Sequence, residues 1–92
     1  MATGLDEYRV MLVNSILLAS SQEEVKRFID TAIESMERDK VNKHIITRFI
    51  DKVINDLASF DPMKKEAQQW NNIKVAKILL NRIWIQLNTP AD

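Results

Sequence analysis

Cysteine is absent from this chain, glycine occurs once, at Gly4, and proline twice, at Pro62 and Pro90. Each shortage removes a class of protein. Without thiols there is no disulfide staple, no thiolate nucleophile and no thiolate metal site. A cysteine-free chain fits a reducing compartment, and the cytoplasm is the expected location. So few glycines and prolines leave hairpins without their usual turn residues, which argues for an all-α chain. One glycine at position 4 cannot build a glycine-rich phosphate loop.

Charge of one sign is also missing. Thirteen basic and thirteen acidic residues cancel, so no overall field draws the chain toward nucleic acid or anionic lipid. No run approaches the ~18 apolar residues of a membrane-crossing helix. The opening MATGLDEYRVMLVNSILLA carries acids where a signal peptide carries Lys or Arg, and Asn14 and Ser15 interrupt its apolar stretch. Neither a signal nor an anchor is expected.

What remains is helical patterning. Ninety-two residues, 46% hydrophobic and 28% charged, make one ordered domain spanning residues 1–92. The first helix is expected over about 5–19, with Leu5, Tyr8, Leu12, Ile16 and Ala19 on one side and Val10, Val13 and Leu17 widening that stripe. SSQEE follows, where Ser21 and Glu24 have the spacing of a capping box. The second helix, 22–38, has one narrow apolar stripe of Val25, Phe28, Ile29, Ala32, Ile33 and Met36. Lys26–Asp30 and Glu34–Arg38 are spaced to pair along its wet side. Asp39 or Asn42 caps a third helix over 42–60, carrying Ile46, Phe49, Ile50, Val53, Leu57 and Phe60.

Asp61-Pro62 marks the next boundary. The stretch 61–72 reads either as a solvated first half of a helix over 63–88 or as an irregular lead-in, with Asn71 or Asn72 starting the helix proper. Four helices with short joins predict a four-helix up-and-down bundle. Tyr8, Phe28, Phe49, Phe60 and Trp84 are the expected aromatic core.

The fourth helix raises a question of sides. Ile73, Ala76, Leu80, Ile83, Trp84 and Leu87 share one broad face, while Val75, Ile78, Leu79 and Ile85 lie around the back. Such a helix needs burial on most sides. Either it sits centrally among the others, or its second face meets another molecule. With the first helix also over-wide, association is the expectation: a homodimer, or contact with another protein, through Val10, Val13, Leu17, Val75, Ile78, Leu79, Arg82 and Ile85.

Chemistry finds little to work with. His44, the only histidine, has Lys40, Val41, Thr47 and Arg48 at i±3 and i±4, none a carboxylate that would orient it as a base. A di-iron site of the Glu-x-x-His kind is excluded because Val41 stands three residues before it. Asp30, Glu34 and Glu37 align on the second helix, but Lys26 and Arg38 stand beside them, as on a solvated acidic face. No enzyme activity, cofactor or metal is expected. A nucleic-acid contact is the alternative: residues 62–88 hold Lys64, Lys65, Lys74, Lys77 and Arg82 against Glu66 alone, and residues 22–39 hold six acids against three bases. Trp70, Lys77 and Trp84 recur every seven residues, a stripe that can follow a phosphate backbone or, as plainly, anchor a core.

Overall fold

The computed structural model describes residues 4–89. Four helices follow in order: α1 (Leu5–Leu18), α2 (Gln22–Arg38), α3 (Lys43–Ala58) and α4 (Ala67–Asn88), with a single 3-10 turn, Pro62–Lys64, before the last. Among the described residues there is no strand. The four-helix bundle expected from the sequence is the fold observed.

The helix ends follow the polar residues that can reach them. Ser21 Oγ accepts the Glu24 N–H at 3.2 Å, as a capping box requires. The return bond goes one residue further out than expected. Glu24 Oε1 accepts from the Ser20 N–H at 2.8 Å and the Ser20 hydroxyl at 3.0 Å, and these two donors hold the carboxyl below the ordinary glutamate range. Of the two candidate caps for α3, Asn42 takes the role, its Oδ1 accepting the His44 N–H at 2.7 Å. Along α2, Lys26 pairs with Asp30 at 2.7 Å, whereas Glu34 and Arg38 form no ion pair.

The join from α2 to α3 uses a left-handed residue where a glycine would be usual. Lys40 has φ 60°; its N–H donates to Glu37 O at 3.0 Å and the Val41 N–H donates to Met36 O at 2.9 Å. That pair of bonds is a Schellman closure, and Val41 folds back against the core. A lysine in this conformation costs about 1 kcal/mol relative to glycine.

The start of α4 corrects the expected boundary. Asp61 Oδ1 accepts the Met63 N–H at 2.9 Å, which closes only the 3-10 turn. The helix begins at Ala67, behind Glu66, whose N–H donates to Gln69 Oε1 at 3.3 Å. Neither Asn71 nor Asn72 starts it. The third helix also stops earlier than expected, at Ala58, where the Ser59 hydroxyl donates to Asp56 O at 2.7 Å.

Asn72 is instead the one buried polar side chain among the described residues. Its Nδ2 donates to Ile16 O at 3.0 Å and Ala19 O at 2.8 Å, and its Oδ1 accepts from Gln68 Nε2 at 2.9 Å. The last carbonyls of a helix have no partner within the helix. No glycine or cation closes the end of α1, so an amide from more than fifty residues away does so.

Packing assigns the helices two kinds of work. Hydrophobicity is strongly one-sided in α2 and α3 but spread around α1 and α4. The second pair forms the centre: α4 packs on α1, α2 and α3, and α1 packs on α2, α3 and α4, while no comparable contact joins α2 to α3. The bundle is therefore a variant of up-and-down order in which α2 and α3 flank an α1/α4 pair. Its extents, 40 × 37 × 22 Å, agree. The short dimension is about two helix diameters of 10–12 Å. Ile16, Ile29, Ile50, Leu57, Ile73 and Leu80 are fully buried where the layers meet. Of the expected aromatics Phe49 is buried, stacked 5.9 Å from Tyr8, while Tyr8, Phe28, Phe60 and Trp84 are half-buried against the core.

Two stability predictions follow from these contacts. Asn72→Ala strands the buried Ala19 carbonyl, at about 1–3 kcal/mol, and leaves Ile16 O with the Ala19 N–H at 3.3 Å alone. We expect a loss of roughly 2–3 kcal/mol, seen as a melting temperature lower by about 10–20 °C; a fall under 3 °C would show that the amide carries little. Lys40→Gly relieves the left-handed backbone and is expected to raise urea-unfolding stability by about 0.5–1 kcal/mol. Destabilisation there would contradict the assigned conformation.

Candidate interaction surfaces

A groove runs along each side of the bundle. One lies between α1 and α3 (Leu5, Arg9, Ile45, Lys52), one between α3 and α4 (Ile54, Ala58, Lys74, Ile78), one between α4 and α2 (Ile83, Leu87, Glu34, Glu37), and two adjoining hollows between α2 and α1 (Tyr8, Met11, Phe28, Met36). Around the perimeter the order is therefore α1, α3, α4, α2. The outer faces of α1 and α4 point away from each other, on the two broad sides of the slab. A single contact surface made jointly from these two helices, as the sequence suggested, does not exist within one copy.

Each face is nonetheless apolar. On α1, Leu18 is 78% exposed, Met11 63% and Val10 50%. Exposed Asn14 stands between them, and Leu17 is half-buried at the edge. On α4, Ile78 and Ile85 are exposed, 60% for Ile78, among Lys74, Asn81 and Arg82. Three expected contact residues need correction. Val13 is only 6% exposed and belongs to the core, because its position on the helix points toward α3 rather than outward. Val75 and Leu79 are half-buried, packed against the core from the α2 side of α4. Met11 and Leu18 were missed. Their signal was present in the sequence: they stand three before and four after Asn14, the residue that marks the wet side of α1.

The α3/α4 groove is the roomiest of the hollows, about 520 Å³, lined by Ile54, Ala58, Lys74, Lys77, Ile78 and Asn81. That volume falls within the range of small-ligand sites, but the groove is open, with hydrocarbon on its floor and two ammonium groups at its rim. Its polar lining is Lys74, Lys77 and Asn81, with no carboxylate, histidine or hydroxyl among them. The bank it shares with α4 is wholly cationic or neutral, since residues 67–88 include no Asp or Glu.

The remaining candidates fall into quieter places. His44 is exposed on the first turn of α3 and lines none of these grooves. Asp30, Glu34 and Glu37 do share the α2/α4 groove, yet among the described residues no group of three or more His, Asp or Glu is placed to hold a cation. The basic alternative set divides. Lys65 rests its ammonium 4.6 Å above the Phe60 ring, Lys64 sits in the 3-10 turn, Lys74 and Lys77 line the groove, and Arg82 is exposed on the other flank. Trp70 and Trp84 are half-buried against the core, and the Trp84 indole N–H is buried without an acceptor among the described residues. Arg9 closes the α1/α3 side, Nε 2.8 Å from Asp56 Oδ2 and Nη1 3.2 Å from Asp6 Oδ1; such partly exposed pairs are worth at most about 1 kcal/mol. Among the described residues no helix is long and apolar enough to cross a membrane.

Compared with the models of known protein families, with curated proteins and with solved structures, the chain matches none.

Proposed function

We propose that this chain is a non-enzymatic helical interaction module of the cytoplasm, which associates with a second copy of itself through the outer face of α1 and offers the outer face of α4 to another protein. One observation carries this reading. Although α1 and α4 each touch all three other helices, both still leave large hydrocarbon side chains in water. Because the two faces look in opposite directions, pairing through one leaves the other free in both copies. That is the geometry of an adaptor.

Magnitudes set the strength of the pairing. Full burial of one large apolar side chain is worth about 1.5–3 kcal/mol. Scaling Val10, Met11 and Leu18 by their exposure gives roughly 8 kcal/mol for a symmetric pair, set against about 4–15 kcal/mol for lost freedom on association. Against the low end of that cost about 4 kcal/mol remains, a dissociation constant of about 1 mM, so the pair is weak. Rapid exchange suits a module that assembles on demand.

The acid-free α4 favours an acidic partner, and it is also the basis of the nucleic-acid alternative. The half-buried tryptophans favour the protein reading, because single-strand binders use exposed rings.

Static light scattering from about 0.1 to 5 mM brackets that affinity. We expect an apparent mass that rises with concentration for the wild type and for Ile78→Glu, and a monomer throughout for Leu18→Glu. A flat wild-type curve removes self-association, and loss in Ile78→Glu alone moves the contact to α4. Titration with a labelled single-stranded oligonucleotide is expected to show no saturable binding at physiological salt. Saturable binding that falls steeply as salt rises would restore the nucleic-acid reading.

A further inference from the structure

We infer that the groove between α3 and α4 is a binding site for a free fatty-acid anion. The alkyl chain lies on Ile54, Ala58 and Ile78, and the carboxylate sits between the ammonium groups of Lys74 and Lys77. The site belongs to a single copy and is independent of the pairing through α1. Its shape suits a small ligand. The hollow has a volume of about 520 Å³, inside the range of such sites. Its lining takes one turn of α3, Ile54 to Ala58, and two turns of α4, Lys74 to Asn81. A partner helix seats apolar anchors at i, i+3, i+4 and i+7, more than Ile54, Ala58 and Ile78 can cover. One alkyl chain is covered by them.

Charge selects the head group. Lys74 and Lys77 are three residues apart, hence neighbours on the α4 surface, with Lys74 exposed and Lys77 half-buried. Among the described residues the ion pairs are those of Arg9, Lys26 and Lys52, so neither groove lysine has a carboxylate partner. The acids of the two helices do not supply one. α4 has no Asp or Glu over 67–88. On α3, Asp56 is held by Arg9 on the α1 side, and Asp51, one turn before Ile54, is outside the lining. Adjacent like charges repel. A carboxylate between them, with an oxygen for each ammonium, removes that repulsion.

Cations at the rim and hydrocarbon on the floor, with Ile78 60% exposed beside them, together match a ligand with an apolar tail and a negative head. A free molecule fits better than a membrane surface. Two adjacent cations in a chain of zero net charge fall short of the cluster of about four to eight that holds a protein to anionic lipid.

Decanoate below its micelle threshold is the probe. Titrated into nitrogen-labelled protein, it is expected to shift the backbone amides of Ile54, Ala58, Lys74, Ile78 and Asn81 first, with a dissociation constant on the order of 1 mM. Octanoate, shorter by two half-buried methylenes, is expected to bind about fourfold more weakly. Acetate, which lacks the tail, and decyltrimethylammonium, which reverses the head, leave these amides in place. In Lys74→Glu/Lys77→Glu the preference exchanges: decanoate binding falls at least about tenfold and decyltrimethylammonium binds instead. Lys74→Gln/Lys77→Gln, which loses decanoate without gaining the cation, serves where a melting curve shows the first variant misfolded. Equal shifts from decanoate and decyltrimethylammonium overturn the proposal, as do shifts that spare these amides or that persist in the variants. Co-sedimentation with phosphatidylglycerol vesicles in the absence of decanoate binding overturns it in favour of a membrane surface. An acidic helical peptide that shifts these amides where decanoate does not overturns it in favour of a protein partner.

Discussion

The bundle depends on one buried amide. Asn72 reaches from the second turn of α4 to the carbonyls of Ile16 and Ala19 at the end of α1, where the Ala19 carbonyl would otherwise be buried without a donor. Two consequences follow. The end of α1 needs neither a glycine nor a cation, which a chain with a single glycine would struggle to supply there. And α4 cannot slide or rotate against α1 without stranding two polar groups, the Asn72 amide N–H and the Ala19 carbonyl, in a dry interior, at about 1–3 kcal/mol each. Hydrocarbon contacts alone tolerate such sliding. The amide therefore converts a greasy α1/α4 contact into one with a defined register, and α2 and α3 then close on the two sides of that pair.

This explains why hydrophobicity is distributed so unevenly among the helices. A helix that flanks the pair meets the core on one side and water on the other, hence the single stripes of α2 and α3. A helix in the pair meets three neighbours and needs apolar residues over most of its circumference, hence the dispersed patterns of α1 and α4. Central placement absorbs Val13, Val75 and Leu79, wholly or in part. It does not absorb Val10, Met11, Leu18, Ile78 or Ile85, and a flat particle two helices thick cannot, because each central helix keeps one side on a broad face.

Much of the fold was legible in the sequence because local chemistry decides it. The α2 stripe, the Ser21 cap and the end of α4 are matters of residues within a few positions of each other. The start of α4 was harder. Pro62 and Asp61 signal a helix start correctly, but the turn they begin lasts three residues, and the true start uses Glu66 and Gln69, a pair with a weaker signature. The sequence offers Asn72 only as one possible start of the helix or as a position inside it, since an asparagine side chain favours caps and turns over helix interiors. Its real partners are Ile16 and Ala19, and no local pattern contains them. The surfaces failed for the same reason. That α1 and α4 carry extra apolar perimeter is a property of each helix alone. That the two excesses face opposite ways is a property of their packing, and only the ring of grooves discloses it.

Opposite faces change what the excess hydrocarbon means. Had both lain on one side, a single large patch would have favoured a tight, permanent dimer. Split as they are, each face is too small for that, since a stable interface buries about 800 Å² per partner and three exposed side chains on one helix reach only a few hundred. Small apolar faces that avoid like charges favour contacts that form and break readily. The faces also differ in kind. The α1 face of Val10, Met11, Asn14 and Leu18 carries no charge. The α4 face is edged by Lys74, Lys77 and Arg82 and adjoins a groove in α3, so two copies placed face to face there would oppose like charges in several registers. Charge thus distinguishes the two faces, leaving one without fixed charge and the other edged with cations.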